Sequence, residues 1–209
     1  MVAKANLFVV SAPSGAGKTS LLKQLMDELG AVQTAISHTT RKKREAELDG
    51  VDYHFVDSEQ FQSLVNDNAF YEFATVFGNS YGTSKASIAE QIEKGIDVIL
   101  EIDWQGARQI KEHLPKSRSV FILPPSKDAL EARLKGRGQD DDAVIKRRMS
   151  EAIAEMSHFD EYDYLVINDD FSVAVSELKA IIQAERQKLP IQQKKHTHLL
   201  CNLLESGTI

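Results

Sequence analysis

The sequence predicts an α/β fold: a central parallel sheet flanked by helices, with a small lobe inserted into it. Three observations predict it. Short apolar runs alternate with segments of helical period, the rhythm of βαβ units. The first apolar run leads straight into a glycine-rich turn and a helix. Residues 38–83 break the rhythm, being polar and rich in aromatic and turn residues.

Leu7–Val10 is short and wholly apolar, so it reads as a strand buried on both faces. Leu21, Leu25 and Leu29 recur every four residues on a helix expected to end at Gly30. Within 38–83, short alternating runs such as Tyr53–Val56 point to a small sheet of their own. Val98–Ile102, Val120–Leu123 and Tyr164–Ile167 read as three more buried strands, the last followed by a helix over 172–188. Residues 136–142 (Gly-Arg-Gly-Gln-Asp-Asp-Asp) form a glycine-flanked, charged connection that reads as a mobile flap. The helix after it carries Ile145, Met149, Ile153 and Met156 on one face. The expected organisation is a core of 1–37, 84–135 and 146–189, a lobe of 38–83, a lid of 136–145 and a tail helix in 190–209. The tail is basic, then apolar at Leu199, Leu200, Leu203 and Leu204, so it either docks on its own body or joins copies into a homo-oligomer.

At 209 residues the chain suits one domain with an insertion. With 42% hydrophobic and 27% charged residues it has ordinary globular usage. Its 25 Lys and Arg against 31 Asp and Glu give a net charge of -6. A general nucleic-acid binder is thereby excluded, and any phosphate held must meet a local basic site. The single cysteine, Cys201, excludes an internal disulfide and a cysteine-based zinc cluster. No apolar run approaches the roughly 18–20 residues of a membrane span, and the first residues lack the shape of a signal peptide. The expected location is the cytoplasm, with no membrane partner. His196 and His198 are spaced wrongly for a shared helix face, and Asp140–Asp142 reads as the acidic start of a helix, so neither suggests a metal site.

Ala12-Pro13-Ser14-Gly15-Ala16-Gly17-Lys18-Thr19 nearly matches the phosphate-loop pattern G-x-x-x-x-G-K-[ST], with Ala12 in place of the first glycine. It has the context that pattern requires, strand before and helix after. Successive backbone N–H groups from Ser14 to Ser20 can converge on phosphate oxygens, and the helix N-terminus adds partial positive charge. Lys18 can reach the β- and γ-phosphates of a bound nucleotide and the Thr19 hydroxyl can ligate Mg²⁺. Alanine at position 12 implies a negative φ there.

A phosphate cradle alone does not name a reaction. Asp103-Trp104-Gln105-Gly106 imitates the D-x-x-G switch of GTPases, but the chain has no N-K-x-D guanine-reading motif. Arg41-Lys42-Lys43-Arg44 puts four cations side by side in an acidic protein. Two arginines at that spacing can grip a phosphate dianion, and Tyr53 and Tyr81 can each add an O–H. Asp103 reads as the close of the strand before it.

The chain resembles the guanylate kinases, P-loop kinases that move the terminal phosphate of ATP onto GMP. The resemblance runs over about residues 5–188. It rests on Ser37–Arg41 with Arg44, Gly50–Val56, Glu72, Gly78–Thr83, Glu101–Gly106, Leu134–Gly138 and Val166–Asp170, in that order. It implies that Arg41, Arg44, Tyr53 and Tyr81 hold the GMP phosphate, and that Ser37, Glu72, Thr83 and Asp103 read guanine. A carboxylate accepts from guanine N1–H and N2–H₂, while a hydroxyl donates to O6. Adenine would leave this array unpaired, at about 1–3 kcal/mol for each buried group. The resemblance further implies that Arg133, Arg137 and Arg148 neutralise phosphate charge when the lid closes, and that Asn168 lies near the adenine. Two other readings stand beside it: a kinase of the same fold for another nucleoside monophosphate, and a non-catalytic guanylate-kinase-like interaction module.

Overall fold

The computed structural model describes residues 5–76, 78–136 and 142–204. Its strands are β1 (Leu7–Ser11), β2 (Val32–Thr34), β3 (His38–Thr39), β4 (His54–Phe55), β5 (Phe70–Val76), β6 (Asn79–Ser84), β7 (Asp97–Glu101), β8 (Arg118–Leu123) and β9 (Tyr164–Ile167). Its helices are α1 (Lys18–Glu28), α2 (Ser58–Asn66), α3 (Lys85–Glu93), α4 (Trp104–His113), α5 (Lys127–Lys135), α6 (Asp142–Met156), α7 (Phe171–Arg186), α8 (Leu189–Lys195) and α9 (Thr197–Leu204). None of the described helices is long and apolar enough to cross a membrane.

The central sheet has the order β2-β7-β1-β8-β9, and every pairing is parallel. All five residues of β1 are buried. Phe8 and Val10 face a core made with Leu21, Leu22 and Leu25 of α1 and Val175, Leu178 and Ile182 of α7. Leu7 and Val9 face the opposite way, towards Ile88 of α3 and Ile110 of α4. Alternation with both faces covered explains why the run needs no polar residue. Each fully buried leucine or isoleucine contributes about 1.5–3 kcal/mol.

The chain crosses to one side of β1 through β2 and β7, then to the other through β8 and β9. Such a reversal opens a crevice beyond the carboxyl ends of the central strands. A second sheet, β4-β3-β6-β5, stands beside it. Its antiparallel pair β5 and β6 is joined to the body by α4, which packs on β5, and by α3, which packs on β6 and β7.

The expected α/β architecture is observed, with several corrections. The parallel sheet gains β2, three residues whose single buried side chain, Val32, leaves too short a pattern to see. The first helix stops at Glu28, and the left-handed residue that follows is Ala31 (φ 58°), not Gly30. The strand before Asp103 ends at Glu101, and Asp103 instead caps α4 by accepting the Gly106 N–H at 2.9 Å. The helix expected over 172–188 spans Phe171–Arg186, with Asp170 as its cap. The tail is two helices, broken at His196. Ala12 is not among the described residues of positive φ, as its side chain required.

Two buried carboxylates fasten the far end of the sheet. Asp97 accepts from Arg186 Nε at 2.7 Å and from the Asn6 N–H at 2.6 Å. Glu185 accepts from Arg118 Nε at 2.8 Å and from Tyr164 O–H at 2.6 Å, and it pairs with Lys188 Nζ at 2.7 Å.

Candidate functional site

The loop between β1 and α1 is the first wall of the site. Gly15 (φ 92°) and Gly17 (φ 94°) hold backbone shapes that side chains rarely adopt. A Cβ on Gly17 would lie 2.5 Å from Asn168 Nδ2, and one on Gly15 would lie 2.9 Å from Leu134 Cδ2. Behind the loop, Asn168 Nδ2 donates to the Ala16 carbonyl at 2.6 Å. Arg133 Nη2 donates to the Asn168 carbonyl at 2.8 Å, so a buried brace fixes the cradle from its rear. Gly17 opens α1 with no side-chain cap, which leaves the first-turn N–H groups directed into the crevice.

Lys18 Nζ stands 3.9 Å from Glu101 Oε2, and the Thr19 hydroxyl donates to the same oxygen at 3.3 Å. Glu101 opens the Glu101–Gly106 motif but was given no role from the sequence. Its signal was legible, as the one charged residue closing an apolar parallel strand. Hydroxyl and carboxylate oxygens are the donor types Mg²⁺ accepts, and it commonly keeps several waters and substrate oxygens as well. No group of three or more His, Cys, Asp or Glu forms a protein-only metal cage among the described residues.

The second wall comes from the smaller sheet. The β5–β6 register shifts between Phe70 and Glu72, where two residues of β5 answer one of β6. This bulge sets Glu72 opposite Thr83 and turns it inward. Glu72 is only 3% exposed. The Thr83 hydroxyl donates to Glu72 Oε1 at 2.5 Å, and Ser37 Oγ lies 3.2 Å from Thr83 Oγ1. Glu72 Oε2 fits against Gly106, where an added Cβ would come within 2.9 Å. Burial pushes the Glu72 carboxyl up to about 7; the Thr83 hydroxyl opposes this and the Asp103 charge adds to it.

The two walls enclose one cavity of about 410 Å³. Ser14, Gly15, Gly17, Lys18, Thr19 and Ser20 line one side, and Ser37, Tyr53, Glu72, Tyr81 and Asp103 the other. Arg41 sits at the lobe with its guanidinium 5.4 Å from the Tyr53 ring centre and 2.7 Å from Glu47 Oε1. Arg44 is exposed, and its N–H donates to the other Glu47 oxygen. From α6, Arg148 Nη2 donates to Ser14 Oγ at 2.8 Å. Arg133 and Asn168 lie behind the loop, not in the cavity wall. Arg137 lies outside the described residues, as do residues 137–141 of the segment read as a lid; Gly136 caps α5 and residues 142–145 are the first turn of α6.

Known proteins resemble this chain over nearly its whole length. The family model described as "Guanylate kinase" matches residues 4–185. A guanylate kinase of Saccharophagus degradans is 54% identical over 204 residues, 98% of this chain and 100% of that one. One from Vibrio cholerae is 55% identical over 203 residues, 96% of this chain and 98% of that one. The crystal structure of guanylate kinase from Anaplasma phagocytophilum superposes with a TM-score of 0.72 at 33% identity, covering 90% of this chain and 89% of that one.

Proposed function

The chain belongs to the guanylate kinase family and is an ATP:GMP phosphotransferase, and from that premise we propose which of its groups do the work. The observation that carries the assignment is the single cavity whose two walls are a phosphate loop and a hydroxyl–hydroxyl–carboxylate chain.

In this reading the loop from Ser14 to Ser20 cradles the ATP phosphates, and Lys18 neutralises charge on the migrating group. Ser37, Glu72, Thr83 and Asp103 read guanine. Glu72 offers a buried acceptor for N1–H and N2–H₂, and Ser37 and Thr83 supply a hydroxyl for O6. Arg41, Arg44, Tyr53 and Tyr81 receive the GMP phosphate, so residues 38–83 act as the acceptor lobe. Adenine cannot satisfy a buried carboxylate that seeks two donors.

Mg²⁺ is the expected companion of ATP, and it supplies charge neutralisation on the phosphates. Thr19 would hold it directly, with Glu101 and Asp103 acting through water. The chain's own residues do the rest. They align the two nucleotides, and a GMP phosphate oxygen is already a competent nucleophile, so no general base is required. In the same reading residues 136–145 serve as a lid carrying Arg137, which with Arg148 supplies positive charge and excludes water that would compete with GMP, while Arg133 acts through its brace on the loop. Asn168 braces the cradle beneath the adenine side. The cytoplasm is the compartment that fits these substrates. Leu199, Leu203 and Leu204 of the tail are more than half exposed, which favours a contact between copies of the chain. Light scattering of Leu203→Lys against the parent checks this: an unchanged mass removes the tail from any assembly.

The test of the reaction is ADP formation from ATP with each nucleoside monophosphate in turn. GMP alone should support rapid turnover. Equal turnover of AMP would overturn the base-reading assignment.

A further inference from the structure

Helix α6 reaches the phosphate loop with two side chains of opposite charge. Arg148 Nη2 donates to Ser14 Oγ at 2.8 Å. Seven residues later, Glu155 Oε2 accepts the Ser14 backbone N–H at 3.3 Å. Seven residues are close to two helical turns, so both side chains stand on one face of α6. Glu155 is half-buried and lines the same cavity as Lys18 and Asp103. Burial works against its charged form, the Ser14 N–H and Lys18 favour that form, and Asp103 and Glu151 oppose it. Neither the phosphate loop pattern nor the acceptor lobe accounts for a carboxylate at this point.

The Ser14 N–H belongs to the set of loop donors that converge on phosphate oxygens. A carboxylate and a phosphate are both anions, and they cannot share that donor at close range without strong repulsion. We propose that Glu155 is a positioning residue that holds the place of a donor phosphate: in the empty enzyme it occupies the Ser14 end of the cradle, and ATP displaces it. While it stays, it satisfies a loop N–H and keeps α6 against the loop, so that Arg148 is already at Ser14 when ATP arrives. As ADP leaves, the returning carboxylate competes for the cradle and speeds release. ATP binding thus exchanges one anion for another on a fixed donor.

This inference rests on the assignment of residues 14–20 as the ATP cradle, and the experiment separates the two. ATP binding to the full chain is measured by calorimetry with Mg²⁺ and without GMP, for the parent, Glu155→Gln and Lys18→Ala. Glutamine keeps the reach and volume but not the charge. The expected result is ATP binding about five- to tenfold tighter in Glu155→Gln, slower ADP release, and a GMP KM within about twofold of the parent, since the acceptor wall is untouched. Unchanged or weaker ATP binding overturns the proposal. Should Glu155→Gln fail to fold, Glu155→Ala carries the same expectation. Parent-like ATP binding in Lys18→Ala would instead remove the cradle assignment itself. A loss in Lys18→Ala with no tightening in Glu155→Gln removes only the displacement.

Discussion

Asn168 Nδ2 lies 2.6 Å from the carbonyl oxygen of Ala16, a residue 152 positions earlier in the chain. The contact joins the end of β9 to the inside of the phosphate loop, so the cradle is shaped by a strand on the far side of the sheet. Arg133 closes the brace from α5.

Removing that brace loosens the loop without touching its sequence. Asn168→Ala leaves the Ala16 carbonyl short of a buried partner, at a cost of about 1–3 kcal/mol. The expected outcome is a raised ATP KM and a lower melting temperature, with GMP KM little changed. Steady-state kinetics at varied ATP checks the first, and thermal unfolding the second.

On the assignment proposed above, Lys18→Ala removes a cation aimed at developing charge. By analogy with other such donors, about 3–4 kcal/mol is lost, which is several hundredfold in kcat. A fall of less than tenfold, read from ADP production at saturating substrates, would take Lys18 out of the transition state.

Glu72 makes the enzyme sensitive to pH in two ways. Its folded value of about 7 lies above the ordinary 4.5. The folded state therefore binds more protons across that interval. The stability this contributes is complete below about pH 4.5 and is lost as pH rises through 7. The span corresponds to roughly 3 kcal/mol at 1.36 kcal/mol per unit. Glu72→Gln cannot titrate, so its advantage in urea unfolding over the parent should grow from pH 5 to pH 8. On the proposed base reading guanine needs the carboxylate form, so the parent's GMP KM should climb as pH falls below 7. In Glu72→Gln that KM should be high and flat. A parallel pH profile in the two proteins would remove Glu72 from base reading.

Arg44 is exposed, with its backbone N–H on Glu47. Arg44→Ala should raise GMP KM with ATP KM nearly constant. The reverse pattern, in the same two-substrate kinetics, would place Arg44 on the donor side.

Glu185 tests the fastening of the sheet. Burial alone would raise its carboxyl, but Lys188, Tyr164 and Arg118 together hold it below the usual range. Its contribution is therefore present above the unfolded value and lost as pH falls through the folded one. Glu185→Ala leaves Arg118 without its partner at 2.8 Å. Arg118 and Lys188 are partly exposed and water can take up their charge, so the expected loss in chemical unfolding at pH 7 is about 1–3 kcal/mol, with both KM values preserved in the folded fraction.

Local features carried much of this in the bare sequence. The Leu7–Val10 run, the turn ending in Gly17-Lys18-Thr19 and the leucines of α1 declare strand, cradle and helix within one stretch, because backbone shape and periodicity depend on near neighbours. The order of the motifs from Ser37 to Asp103 likewise marked the family. Other features needed the folded chain. β2 is too short to show a period and exists because β7 offers it an edge. Glu72 faces inward because one extra residue in β5 reverses the alternation, which the sequence of the strand does not announce. Glu101 meets Thr19, and Glu155 meets Ser14, across 82 and 141 residues. Charges so far apart along the chain become partners only when strands and helices are stacked, and burial then decides which carboxylates hold their protons. The chemistry available was written in residue types; which groups share one cavity was decided by packing.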